Sequence, residues 1–150
     1  MKSRRKIILL LTLSIAIVFG AVWYFYDSQT QAPTRIFPAT ASRDCAPWDG
    51  AAFTVTIPYD AETIIDISVW QSPTITIPSS FRFTGNEEQI GNALIASGGG
   101  VFVPLRGEVW FERVEEGTPI AGRFSLTSER GELYEGGFVA EWESQMVYCG

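Results

Sequence analysis

From residue 53 onward, apolar and polar residues alternate in short runs of period two, the pattern of strands with one buried face. Phe53, Val55 and Ile57 share one side, with Thr54 and Thr56 on the other, and Pro58-Tyr59-Asp60 ends the run. Ile65, Ile67 and Val69 form the next inward set, while Ile64, Asp66, Ser68 and Trp70 point the opposite way. Two shorter strands are predicted over residues 74–77 and 80–84, with Ile75 and Ile77, then Phe81 and Phe83, on one side of each. Pro73 and Pro78 place them at an edge or a sheet crossing, because proline has no N–H to give to a ladder. Residues 86–97 carry mixed signals. Ile90, Ala93 and Leu94 fit helical spacing, but Gly91 and Asn92 interrupt it, and a strand over 89–96 is the preferred reading. Ser97-Gly98-Gly99-Gly100 reads as an exposed loop.

The best-defined pattern runs from Gly107 to Trp142. Val109 and Phe111 face in, and Glu108, Trp110 and Glu112 face out. After a turn at 115–118, Ile120, Gly122, Phe124 and Leu126 alternate with polar or small neighbours. After a second turn at 128–131, Phe138, Ala140 and Trp142 share a face. Gly136-Gly137 is expected to shift the register from Leu133 as a β-bulge does. This predicts a three-stranded antiparallel meander. With the upstream strands it predicts one all-β domain over 44–150, an antiparallel sandwich or barrel of about seven to eight strands. The spacings Gly107-x-Val-x-Phe, Gly122-x-Phe-x-Leu and Gly137-Phe-x-Ala-x-Trp resemble the carboxy-terminal meander of small, uncharacterised bacterial exported proteins, many of them lipoproteins. The resemblance covers about a quarter of the chain. It implies an exported β-domain and carries over no catalytic residue.

A different pattern fills the amino terminus. Residues 7–26, IILLLTLSIAIVFGAVWYFY, hold no charge, and at about 1.5 Å per residue such a run spans the roughly 30 Å of a bilayer core. It reads as one transmembrane helix. Lys2, Arg4, Arg5 and Lys6 precede it, which keeps residues 1–6 cytoplasmic and places the rest outside the cell membrane. A cleaved signal peptide fits less well, since its apolar core is about 7–15 residues and small residues follow it. Here the run ends in Trp23, Tyr24, Phe25 and Tyr26. Residues 27–43, rich in Pro, Thr, Ser, Ala and Gln, are expected to form a flexible linker, with Ile36 and Phe37 able to dock on the domain.

Beyond the apolar run, seven arginines and no lysine face seventeen acidic residues, a formal charge of −10. Such a surface repels nucleic-acid phosphates and anionic headgroups, so neither a nucleic-acid partner nor a second lipid contact is expected. Cys45 and Cys149, the only cysteines, bracket the domain and are expected to form one disulfide in an oxidising compartment.

Histidine is absent and lysine does not recur after Lys6. That excludes within this chain an imidazole base, a histidine metal site and an exported serine–lysine dyad. No cofactor and no metal is expected; Asp44, Asp49 and Asp60 lack the D-x-D spacing of a calcium loop. Carboxylate chemistry remains, with Glu108 and Glu112 on one outer face and Glu141 and Glu143 on another. The main expectation is a non-enzymatic, single-pass membrane protein whose exported domain binds a protein partner or organises an envelope assembly. The alternative is a carbohydrate-binding module using Trp70 and Trp110 beside Asp66, Glu108 and Glu112, since indoles next to carboxylates suit sugar stacking or a protein anchor. A small carboxylate hydrolase is the second alternative. Trp48 and Trp142 are assigned to the core.

Overall fold

The structure, a computed structural model, describes residues 35–76, 78–85, 90–144 and 147–149. The apolar run 7–26, the basic tail, residues 27–34 and the strand position of Ile77 lie outside the described residues. No helix occurs among the described residues, and none there is long and apolar enough to cross a membrane. The strands are β1 (Ile36–Cys45), β2 (Ala51–Pro58), β3 (Thr63–Val69), β4 (Thr74–Ile75), β5 (Ser79–Phe83), β6 (Gly91–Ser97), β7 (Val103–Phe111), β8 (Val114–Glu115), β9 (Ile120–Ser128) and β10 (Leu133–Trp142).

The all-β fold is a closed barrel rather than a sandwich. Because β7 pairs with both β6 and β9, the sheet returns to itself in the order β1-β2-β3-β6-β7-β9-β10. Seven strands cannot alternate direction all the way round a ring. One neighbouring pair must run parallel, and it is β1 with β10, in register from Ile36↔Gly137 to Ala41↔Trp142. β5 adds to the edge of β7 beyond the reach of β6: β6 pairs with Val103 and Pro104, and β5 with Gly107 to Phe111. Gly107 stands where that edge changes partner, at φ 142°. A Cβ there would lie 2.2 Å from the Ser125 carbonyl oxygen, so no side chain fits.

Three expectations are corrected. Residues 36–43 are not the end of a linker but most of β1, with Phe37, Ala39 and Ala41 buried. The domain therefore begins at least eight residues earlier than the alternation indicated. The β1–β2 ladder ends at Thr40↔Thr56, short of Pro38 and Pro58, so neither proline's missing N–H interrupts it. Second, β10 has no bulge: its pairing with β9 runs unbroken from Leu133↔Thr127 to Ala140↔Ile120. Leu133 points outward, and Tyr134 takes the inward position. Third, Trp48 is exposed, not core.

Aromatic rings fill the interior. Phe111 meets Phe53, Phe81 and Phe138 edge-on at 5.6–5.7 Å, and Phe37 lies 5.9 Å from Phe124. Two inward glycines make the room: a Cβ on Gly122 would stand 2.4 Å from the Phe138 ring, and one on Gly136 2.5 Å from the Phe37 ring. This is a packed core and not a lumen for a ligand.

Strand directions define two ends. The starts of β1, β3, β7 and β10 share one end with the finishes of β2, β6 and β9. That entry end is plugged by Phe37 stacked on Tyr59 at 4.9 Å, with Tyr134 edge-on to Tyr59 and the Arg35 guanidinium 4.4 Å from the Phe37 ring. Burial, then the hydrogen bond donated to Glu132, pushes the Tyr134 phenol above its ordinary pKa. The far end is capped by the β4–β8 pair, whose Ile75 and Val114 are buried. The Trp142 indole N–H straps it by donating to the Glu115 and Thr118 carbonyls. Because β1 and β10 are parallel, their ends meet there, and Cys45 is bonded to Cys149 with Cα atoms 5.6 Å apart.

At the entry end the Asp60 carboxylate accepts the backbone N–H groups of Glu62 and Thr63 at 2.9 and 2.8 Å, closing the β2–β3 turn. The Glu62 bond first, then those from Thr63, with the Arg35 charge adding last, hold its pKa below the usual 3.8 against a small opposing effect of burial. A depressed carboxylate stabilises the fold above its unfolded pKa and loses that contribution as pH falls through its folded pKa. Asp60→Asn keeps a turn-forming oxygen but cannot titrate. Its melting temperature is expected to fall less steeply than the wild type's below about pH 4, checked by thermal melts across an acid series.

Candidate functional site

The polar positions on the outside of β1, β2 and β3 are bound to one another. Ser68 donates to Thr54 at 2.8 Å, since the single Thr54 hydroxyl proton goes to Asp44 at 2.9 Å. One turn of pairing away, Thr56 donates to Asp66 at 2.7 Å. Asp66 is thus a member of a cross-strand ladder, engaged with β2.

Trp110 and its neighbours lie on β7. In register, Trp110 sits between Ser80 and Arg123, and the Arg123 guanidinium covers its ring at 4.8 Å. Glu108 lies between Arg82 and Ser125, with Arg82 3.9 Å away, and Glu112 is exposed just past the strand. One face of Trp110 is therefore taken by an arginine. Glu108, Glu112, Glu141 and Glu143 are all exposed.

Trp70 is not joined to Trp110. β6 separates their strands, and the ring against Trp70 is that of Trp48, edge-on at 5.5 Å and 89°. Trp48 occupies the β1–β2 connection at the far end. The turn is tied by the Ala46 N–H to the Gly50 carbonyl at 2.8 Å and the Asp49 N–H to the Ala46 carbonyl at 3.0 Å. Asp49 takes a left-handed φ of 61°, a conformation Asp tolerates better than most. The Trp48 indole lies across Gly50, where a Cβ would come within 2.8 Å of Nε1. The neighbouring Cys45 is locked by its disulfide.

Trp48 nevertheless remains 54% exposed, and Trp70 is half-buried behind it with its backbone N–H on the Ile90 carbonyl. Ile90, itself exposed, extends the apolar surface. Sequence reasoning missed Trp48 because a lone indole carries no period. The signal present was its place inside Pro47-Trp48-Asp49-Gly50, a turn, where no strand face exists to bury it.

No protein-family model, curated protein or solved structure matches this chain. A cleft of about 330 Å³ also opens at the far end, between Asp44, Pro73, Glu115, Glu116 and Val147, with Arg43 paired to Glu116 on its wall. Asp44, Asp49 and Asp60 do not converge: the first two flank the far-end turn and Asp60 closes a turn at the entry end. Among the described residues no three His, Cys, Asp or Glu side chains group as a metal site would require.

Proposed function

We propose that the chain is a single-pass, membrane-anchored protein whose extracytoplasmic barrel is a non-enzymatic binding domain, with Trp48 backed by Trp70 as its anchor for a protein partner. The observation that carries this reading is a large, exposed indole on a stiffened turn at the end of the barrel opposite the start of β1. Rigid aromatic residues that lose little entropy on contact dominate many protein interfaces. Export is supported by the single disulfide and by the uncharged run at 7–26 flanked by basic residues.

The test compares wild type with Trp48→Ala in pull-downs of the full-length protein from its native membrane. Loss of a central anchor costs at least about 2 kcal/mol, or roughly 30-fold in affinity. The partner retained by wild type is expected to be lost from Trp48→Ala and kept by Trp110→Ala, with both variants folded by circular dichroism. Equal retention by Trp48→Ala and wild type would sink the reading. The exposed Trp48 ring also suits a sugar, and binding on a glycan array that Trp48→Ala abolishes would move the reading there.

A further inference from the structure

We propose that the entry end of the barrel, led by the Val101–Val103 connection, rests on the lipid bilayer. This inference depends on the reading that residues 7–26 anchor the chain. Ile36, Ile64, Val101, Phe102, Val103 and Leu133 are all exposed, and all lie at this end, on the starts of β1, β3, β7 and β10 or on the β6–β7 connection. Val101 is 87% exposed. Gly98 and Gly99, both at left-handed φ, face open space where a Cβ would stand, and the Gly98 N–H donates to the Glu62 carbonyl at 2.8 Å, holding the connection at this end of the barrel. Scattered apolar residues need no explanation; an apolar rim at one end of a domain does.

The chain outside the described barrel selects the occupant. It joins at Arg35, at this same end. Only residues 27–35 separate the interfacial aromatics Trp23 to Tyr26 from Ile36, a span of at most roughly 35 Å when fully extended. β1 is ten residues, itself roughly 33 Å, so the far end lies a strand length further away. The rim is thereby confined near the bilayer at high effective concentration, where weak apolar contacts suffice.

Charge does not oppose the contact. The exported part carries −10, but this end holds Arg35, Arg106 and Arg130 against Asp60, Glu62, Glu129, Glu132 and Glu135, a balance of only −2. Insertion driven by Val101 and Phe102 should therefore depend little on headgroup charge or salt.

The experiment uses the full chain, disulfide intact, in phosphatidylcholine vesicles. A polarity-sensitive probe is placed on Val101→Cys or, as the far-end control, on Thr118→Cys. Spin-labelled lipid is expected to quench the probe at 101 several-fold more than at 118, aqueous iodide is expected to do the reverse, and high salt should change neither. Adding Phe102→Asp should reduce lipid quenching at 101 several-fold. Equal quenching at the two positions overturns the inference. So does quenching that needs anionic lipid and vanishes in salt, which is a charge contact, or protection of 101 from both quenchers, which is a protein occupant such as a second copy. Vesicle flotation separates the underlying reading: a chain that does not float has no anchor, and both fall, whereas one that floats with an unquenched 101 loses only this inference.

Discussion

Replacing Cys45 and Cys149 together by serine is expected to lower the unfolding free energy by about 2–5 kcal/mol, a large share of the roughly 5–15 kcal/mol typical of a domain. The bond links residues 104 apart, and closing a loop near 100 residues removes about 4.7 kcal/mol of unfolded-chain entropy, from which strain and residual structure subtract. Its position matters as much as its span. β1–β2, β2–β3, β6–β7 and β9–β10 are joined by turns, but β1 and β10 are neighbours that no turn connects. The disulfide is the covalent link across that seam. Denaturant titration of the double variant should show a lower midpoint together with a steeper slope, because the unlinked unfolded chain exposes more surface. On hydrogen exchange of the variant, amides of β1 and β10 should lose protection ahead of the β7–β9 pair. A loss below about 1 kcal/mol with unchanged slope would show that the seam holds without its staple.

Phe111→Ala is expected to cost about 3–5 kcal/mol, the range for deleting a fully buried aromatic side chain. Phe111 has no exposed surface, sits between β5 and β9 and meets three other rings. Its removal leaves a cavity those rings cannot close, since each belongs to a different hydrogen-bonded strand. Phe81→Ala, which deletes the half-buried partner on β5, should cost distinctly less. Thermal melts of the two variants check the ordering. Comparable losses would mean that β5 packs on the barrel as tightly as the closed ring does.

How far the chain could be read depended on how local each signal is. The faces of β2, β3, β7 and β9 were legible because Val, Ile and Phe alternate with Thr, Ser and charged residues over stretches of several residues. The strand within 86–97 was read over 89–96 because Gly91 and Asn92 interrupt the helical spacing, and among the described residues it opens at Gly91. β1 was hidden because its inward residues after Phe37 are two alanines, weak signals beside Pro38 and Thr40. Leu133 misled because its register with Phe138, Ala140 and Trp142 was reconciled by a bulge at Gly136-Gly137. It is held outward by a register that gives the core position to Tyr134. At the candidate site, Trp70 was singled out, but its partner was taken to be Trp110 on a similar outward face instead of Trp48 in a turn.

Period-two patterning, glycine and proline punctuation, an uncharged amino-terminal run, and two cysteines spaced across the domain follow from composition and order along the chain alone. They determined an all-β domain, its antiparallel meander and its pair of sulfurs, because side-chain direction in a strand repeats every second residue whatever the partner strand is. Closure into an odd-numbered ring, the parallel seam of β1 with β10, the place of Trp48 beside Trp70 and the gathering of apolar residues at one end were decided only by tertiary structure. Each joins residues far apart in sequence, up to about a hundred positions, and such pairings leave no periodic trace in either segment.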